Sequence, residues 1–148
     1  KGAQLAMHFA DEAIIVTNPE ISSIRDSDRV LGLLSSKTDK AIQNQKIKEH
    51  LLITRYDPQR VEKGEMLKYT DVEEILSINT IEIIPESQSV LKASNTGDPV
   101  IFDKVSDAGV AYADTVRRLL GKTEPIKFIE PKKGFIKRIL PFRNREKA

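Results

Sequence analysis

The stretch Ala13–Leu34, AIIVTNPEISSIRDSDRVLGLL, decides the fold. Its first five residues, Ala13-Ile14-Ile15-Val16-Thr17, form a short β-branched run bounded by turn residues. Such a run predicts a strand buried on both faces, as in a parallel sheet. Asn18-Pro19 stops it, with Asn18 suited to cap a helix and Pro19 to its first turn, where no N–H partner is needed. Ser23 with Asp26 offers a second, capping-box start. Ile24, Leu31 and Leu34 then recur at helical spacing, so one stripe packs on the sheet. Arg25, Asp26, Asp28 and Arg29 crowd the other faces, which by pattern alone fits a solvated surface equally well. A strand feeding an amphipathic helix is half of a βαβ unit. Ligands in such folds sit at the carboxyl ends of the strands, which directs attention to the turn Thr17–Glu20.

Working outward, Lys1–Ala10 reads as the end of a helix with Leu5, Phe9 and Met7 inward, and so as part of a larger domain. Ser35–Lys46 is polar and aperiodic, a surface loop. Leu51–Thr54 is a second buried strand ending in the turn Arg55-Tyr56-Asp57-Pro58. Thr70 with Glu73 forms a capping box ahead of Val72, Ile75 and Leu76, and Thr80–Ile84 is a third strand closed by Pro85. Glu86–Gly97 is polar and turn-rich. The longest helix runs from about Val105 to Leu120 on a stripe of Val105, Ala108, Tyr112, Val116 and Leu119, with Gly121 as its C-terminal glycine. The fold class is α/β, a mostly parallel sheet flanked by helices. Residues 1–121 form the domain, 122–131, with two prolines, a linker, and 132–148 a tail.

The 148 residues suit one domain, and 39% apolar with 31% charged residues excludes a disordered chain. Cysteine is absent, which removes disulfides, thiol catalysis and thiolate metal sites. His8 and His50 lie far apart in sequence and read as boundary residues, not a metal site. No apolar run is long enough to cross a bilayer as a helix. The net charge of +2 conceals a contrast: seven Lys or Arg against one Glu after Pro131, on a body with about four excess acidic residues.

In the tail, Phe135, Ile136, Ile139 and Leu140 fall on one face of a two-turn helix, flanked by Lys132, Lys133, Lys137 and Arg138. That arrangement describes a helix lying in a membrane interface. A helix docked on its own domain would not need so many cations, a nucleic-acid arm would not need the aliphatic face, and a calmodulin-type target helix is longer. Each cation near an anionic surface contributes about 1 kcal/mol, against the entropy of ordering the segment. One tail therefore binds marginally, and two on a dimer gain by avidity.

The motifs TNPEISSIRDSDR (17–29), HLLITRYDP (50–58), IIPESQSVLKASNTGDPVI (83–101), AYADTVRRLLG (111–121) and KKGFIKRIL (132–140) closely resemble the MinD family, septum-site ATPases of the deviant-Walker, ParA-like group. The resemblance covers almost the entire chain. It departs at the start: the family opens with a Gly-rich phosphate loop and carries an Asp-bearing Walker B strand. Neither is found in these 148 residues, so the chain reads as the C-terminal portion of a P-loop NTPase-like domain, with no catalytic residue or metal ligand of its own and inactive alone.

The resemblance implies an ATPase that uses ATP and Mg2+, forms an ATP-dependent homodimer and binds anionic lipids on the cytoplasmic face of the bacterial inner membrane. It implies MinC, the division inhibitor, and MinE, which triggers hydrolysis, as partners, and no nucleic acid. Thr54, Arg55, Pro85 and Glu86 would form the adenine pocket, and Glu20 would face the dimer interface near the nucleotide. Ser22, Ser23, Arg25, Asp26 and Asp28 would meet MinC on a surface overlapping that for MinE. Lys132, Lys133, Phe135, Ile136, Lys137, Arg138, Ile139 and Leu140 would engage the membrane. Two other readings remain at this point: a ParA-like partition ATPase that binds nucleoid DNA, and a non-catalytic adaptor that keeps the tail and the MinC surface.

Overall fold

Three β-branched runs become three parallel strands in the computed structural model, which describes residues 2–131. After α1 (Gly2–His8) come β1 (Glu12–Thr17), α2 (Ile21–Lys37), α3 (Asp39–Ile42) and β2 (Lys48–Tyr56). Next are α4 (Pro58–Glu62), α5 (Tyr69–Leu76) and β3 (Thr80–Pro85). The described chain ends with α6 (Gln88–Thr96), a 3₁₀ turn (Val100–Phe102), α7 (Asp107–Leu119) and the irregular stretch 120–131. The strand order is β1-β2-β3, so the expected parallel α/β sheet is present. Helical crossovers are what parallel pairing requires. The tail residues Lys132 to Leu140 named above lie outside the described residues.

Two cores form, one on each face of the sheet. Ile15, Leu51, Ile53 and Ile83 meet Ile24 and Leu34 of α2 and Val72 and Leu76 of α5 on the first face. Leu52, Ile81 and Ile84 meet Ala108 and Ala111 of α7 on the second. The small residues of α7 bring its backbone close to β3.

Several local expectations change. β1 is not buried on both faces: Ile14 and Val16 are 42% and 59% exposed. Among the described residues, β1 pairs only with β2, and α7 packs chiefly over β3. Neither Asn18 nor Ser23 caps α2, whose N-cap is Glu20 with no side-chain bond. Asn18 instead accepts a hydrogen bond from Thr54. The capping box at Thr70 is likewise unmade; the α5 N-cap is Lys68, and Glu73 accepts from the Thr80 backbone N–H.

The polar stretch after Leu34 extends α2 to Lys37, and Thr38 then caps α3. Residues 88–96, read as turns, form α6 between the Ser87 cap and left-handed Gly97. α7 starts at Asp107, leaving Val105 exposed and Val116 44% exposed, and α2 is longer than it. Leu5 and Phe9 point outward, whereas Met7 packs on the first core.

Candidate functional site

The carboxyl ends of β1, β2 and β3 bring the predicted pocket residues together. Thr54 donates its hydroxyl proton to Asn18 Oδ1 at 2.9 Å, and its oxygen lies 3.3 Å from the Thr17 carbonyl. One side chain at the end of β2 thus fixes the turn that leaves β1. Pro19 in that turn is fully buried and its carbonyl accepts from Leu67 N–H, so Glu20 emerges exposed from a rigid base.

The next residue of β2, Arg55, has φ +57°. A non-glycine residue pays for that left-handed conformation, which persists where surrounding structure enforces it. Here the β2–β3 register shifts between Ile53 and Tyr56, and Glu86 N–H bonds to the Tyr56 carbonyl. The kink turns the guanidinium toward β3, where Arg55 Nε lies 2.9 Å from Glu86 Oε2. The Glu86 hydrogen bond and charge, with a smaller contribution from Glu20, hold the Arg55 pKa above its usual value. Thr54, Arg55, Pro85 and Glu86 line one pocket of about 380 Å³ with Tyr112 of α7.

A larger cavity of about 580 Å³ adjoins it. Pro85 and Glu86 line both, so the two share a wall. Apolar surface comes from Pro58, Phe128 and Pro131, and carboxylates from Asp57, Asp107 and Glu130. Asp57 caps α4 by accepting from Gln59 and Arg60 N–H, which orients its carboxylate.

Sequence reasoning missed Lys127, Phe128, Glu130 and Pro131, which also line this cavity. Their signal was the apolar set Ile126, Phe128 and Ile129 between Pro125 and Pro131, more than a solvated linker needs. In the structure Ile126 and Ile129 pack on the first core and Phe128 on the second.

The predicted partner residues share the amino-terminal half of α2. Ser22, Arg25, Asp26 and Asp28 are exposed, and Ser23 is half-buried. Asp26 pairs with Arg29 at 3.1 Å across open surface. Ser23 and Asp26 line a shallow depression of about 420 Å³ with Thr17, Asn18 and Thr54, so the α2 face and the turn after β1 are contiguous. No group of three metal-capable side chains occurs among the described residues.

No family model matches the chain. It is 61% identical over 140 residues to "Septum site-determining protein MinD" of Escherichia coli K12, covering 93% of this chain and 52% of that protein. The chain thus spans about half the length of the curated relatives it matches. Among solved structures it is similar to the MinD cell division protein of Aquifex aeolicus, with TM-score 0.77 and 42% identity over 86% of this chain and 51% of that one. The MinC:MinD complex from the same organism matches with TM-score 0.71 and 40% identity over 80% and 46%. A Pyrococcus horikoshii MinD solved with Mg-ADP shares the fold, with TM-score 0.58 and 21% identity over 76% and 43%.

Proposed function

Because the chain belongs with the MinD proteins over the half of their length that it spans, we propose that it is part of a membrane-associated ATPase that positions the bacterial division septum. The observation that carries this reading is the convergence of Thr54, Arg55 and Glu86 beside the Glu20 turn, at the strand ends where an open α/β sheet takes its ligand. Identity to MinD favours this over a DNA-binding partition ATPase.

The pockets fit the base end of ATP. Pro58, Pro85 and Phe128 supply surface for a flat ring, and Asp57, Asp107 and Glu86 are carboxylates suited to accept from an exocyclic amine or ribose hydroxyls. The phosphates and Mg2+ find no such fit here. The sequence holds no Gly-x-x-x-x-Gly-Lys-[ST] loop, so residues of the full-length protein outside this chain would hold them. On this reading the 148 residues alone do not hydrolyse ATP. ATP supplies the bond that is broken; this chain orients the base, and Glu20 faces the second subunit of an ATP-dependent homodimer.

α2 is the docking surface for MinC, overlapping that for MinE, and it suits a partner because its charged side chains are free of the core. In the full-length protein, Asp26→Ala weakens MinC recruitment about tenfold, the scale of a contributing interface residue. The fold is spared, since the residue loses only a solvent-exposed pair. Pull-down and vesicle binding measured side by side check this, and an equal loss of both would indicate misfolding instead.

The tail anchors the protein to anionic lipid on the cytoplasmic face of the inner membrane. Ile139→Glu, which puts a charge in the apolar face, abolishes co-sedimentation with anionic vesicles; unchanged binding would remove the tail from the mechanism. DNA binding without vesicle binding would favour the partition reading.

A further inference from the structure

The strap 122–131 is held by side chains. Among the described residues, no backbone–backbone hydrogen bond fixes 123–131 to the body. Ile126, Phe128 and Ile129 give it apolar contact with both cores. Its one charged tie to a helix among the described residues is Lys127 Nζ to Asp114 Oδ2, at 2.6 Å.

Asp114 is 1% exposed, on the inner side of α7, and its other oxygen accepts from Arg117 at 2.5 Å. A carboxylate so deeply buried is oriented by its surroundings, whereas Lys127 remains 42% exposed and reaches it from outside. The same lysine, with Phe128, Glu130 and Pro131, lines the 580 Å³ cavity together with Pro85 and Glu86. The strap is therefore a wall of the cavity, seated by its apolar contacts and tied to α7 by one ion pair among the described residues.

We propose that Asp114, acting through Lys127, is a positioning residue that sets strap 122–131 as the responsive wall of the nucleotide pocket. This rests on the functional reading above and adds to it the element that reports occupancy. A ligand between the strand ends and Phe128 meets the strap directly. Because the next residue, Lys132, begins the basic apolar tail, the occupied pocket and the tail share one segment of chain.

The test is a titration of the full-length protein with ADP, followed by amide NMR. Shifts are expected at Tyr56, Asp57 and Gln59, at Glu86 and Ser87, and in the strap at 126–130, all saturating with one Kd. Lys127→Ala keeps the strand-end shifts, loses those of the strap and weakens Kd about tenfold, an ordinary coupling between two linked elements. Lys127→Arg restores both, while Lys127→Ala also loses stability in urea unfolding, because buried Asp114 keeps only Arg117 as its partner. A purely structural lysine would move the unfolding midpoint and leave the strap shifts in place.

Strand-end shifts without strap shifts, or an unchanged Kd in Lys127→Ala, would overturn the role of the strap and leave the nucleotide reading intact. Absence of shifts at every one of these positions would overturn both.

Discussion

Replacing Arg118 with alanine lowers the stability of the chain by about 3–5 kcal/mol, the usual result of stranding a buried charge. Glu82 on β3 is 1% exposed and lies 3.2 Å from Arg118 Nε, itself 14% exposed. The other Glu82 oxygen accepts from the Ile83 backbone N–H at 2.9 Å. Burial raises the Glu82 pKa above its usual value, against the Ile83 N–H and the Arg118 charge, which lower it. Folding thus favours a proton on Glu82. Its ionisation costs stability as pH rises from the unfolded carboxylate value through the raised folded one.

Without Arg118 the folded value climbs further, so the deficit of Arg118→Ala is smaller at pH 5 than at pH 8 in urea unfolding. Glu82→Gln in the Arg118→Ala background removes the charge and recovers most of the loss, because the amide oxygen still accepts from Ile83. A pH-independent deficit that Glu82→Gln does not relieve would mean that Arg118 contributes through packing of its stem instead.

Gly109→Ala is the second large effect, about 3 kcal/mol, at the upper end for overpacking a rigid site. An added Cβ would stand 2.0 Å from the Asp103 carbonyl oxygen and 2.7 Å from that of Val100. Both are backbone atoms of the turn leading into α7, so no side chain can swing aside. The turn cannot easily retreat, because Asp103 Oδ1 accepts from Val105 and Ser106 N–H, and Ser106 Oγ caps α7 through Gly109 N–H. Those backbone N–H groups hold the Asp103 carboxyl below its usual pKa. The readout is thermal unfolding, with amide shifts concentrated at 100–110; a drop under about 1 kcal/mol would show that the turn yields as readily as an ordinary surface site.

What was legible in the sequence followed from burial. β2 and β3 are central to both cores, and their short runs of Leu and Ile, broken in β3 only by Glu82, declared them. α6 was not legible because none of its residues is buried, so it carries no apolar stripe. Its ends were written all the same, in Ser87 and Gly97. The stripe proposed for α7 included Val105 and Val116 because large apolar residues were expected to face inward. The helix instead lays Ala108, Ala111 and Thr115 on the sheet and buries Asp114, a charge that no hydrophobic pattern can flag. At the site, Thr54, Arg55, Pro85 and Glu86 stood out by following strand runs. The strap residues come from a distant segment whose contribution depends on how the chain returns after α7.

The pairing of the strands carries a kinetic consequence. Glu12 lies opposite Lys48 and Leu51 opposite Thr80, so each ladder joins residues about thirty or more positions apart, and among the described residues both pairings are parallel, with no hairpin turn to start them. Loop closure must precede the contacts that reward it, which places such topologies among the slower folders. The intervening helices shorten the distance to be closed. Ile24 and Leu34 of α2 and Val72 and Leu76 of α5 share one core with Leu51 and Ile53 of β2, so docking of these two helices is what brings β1 and β3 within reach of the central strand.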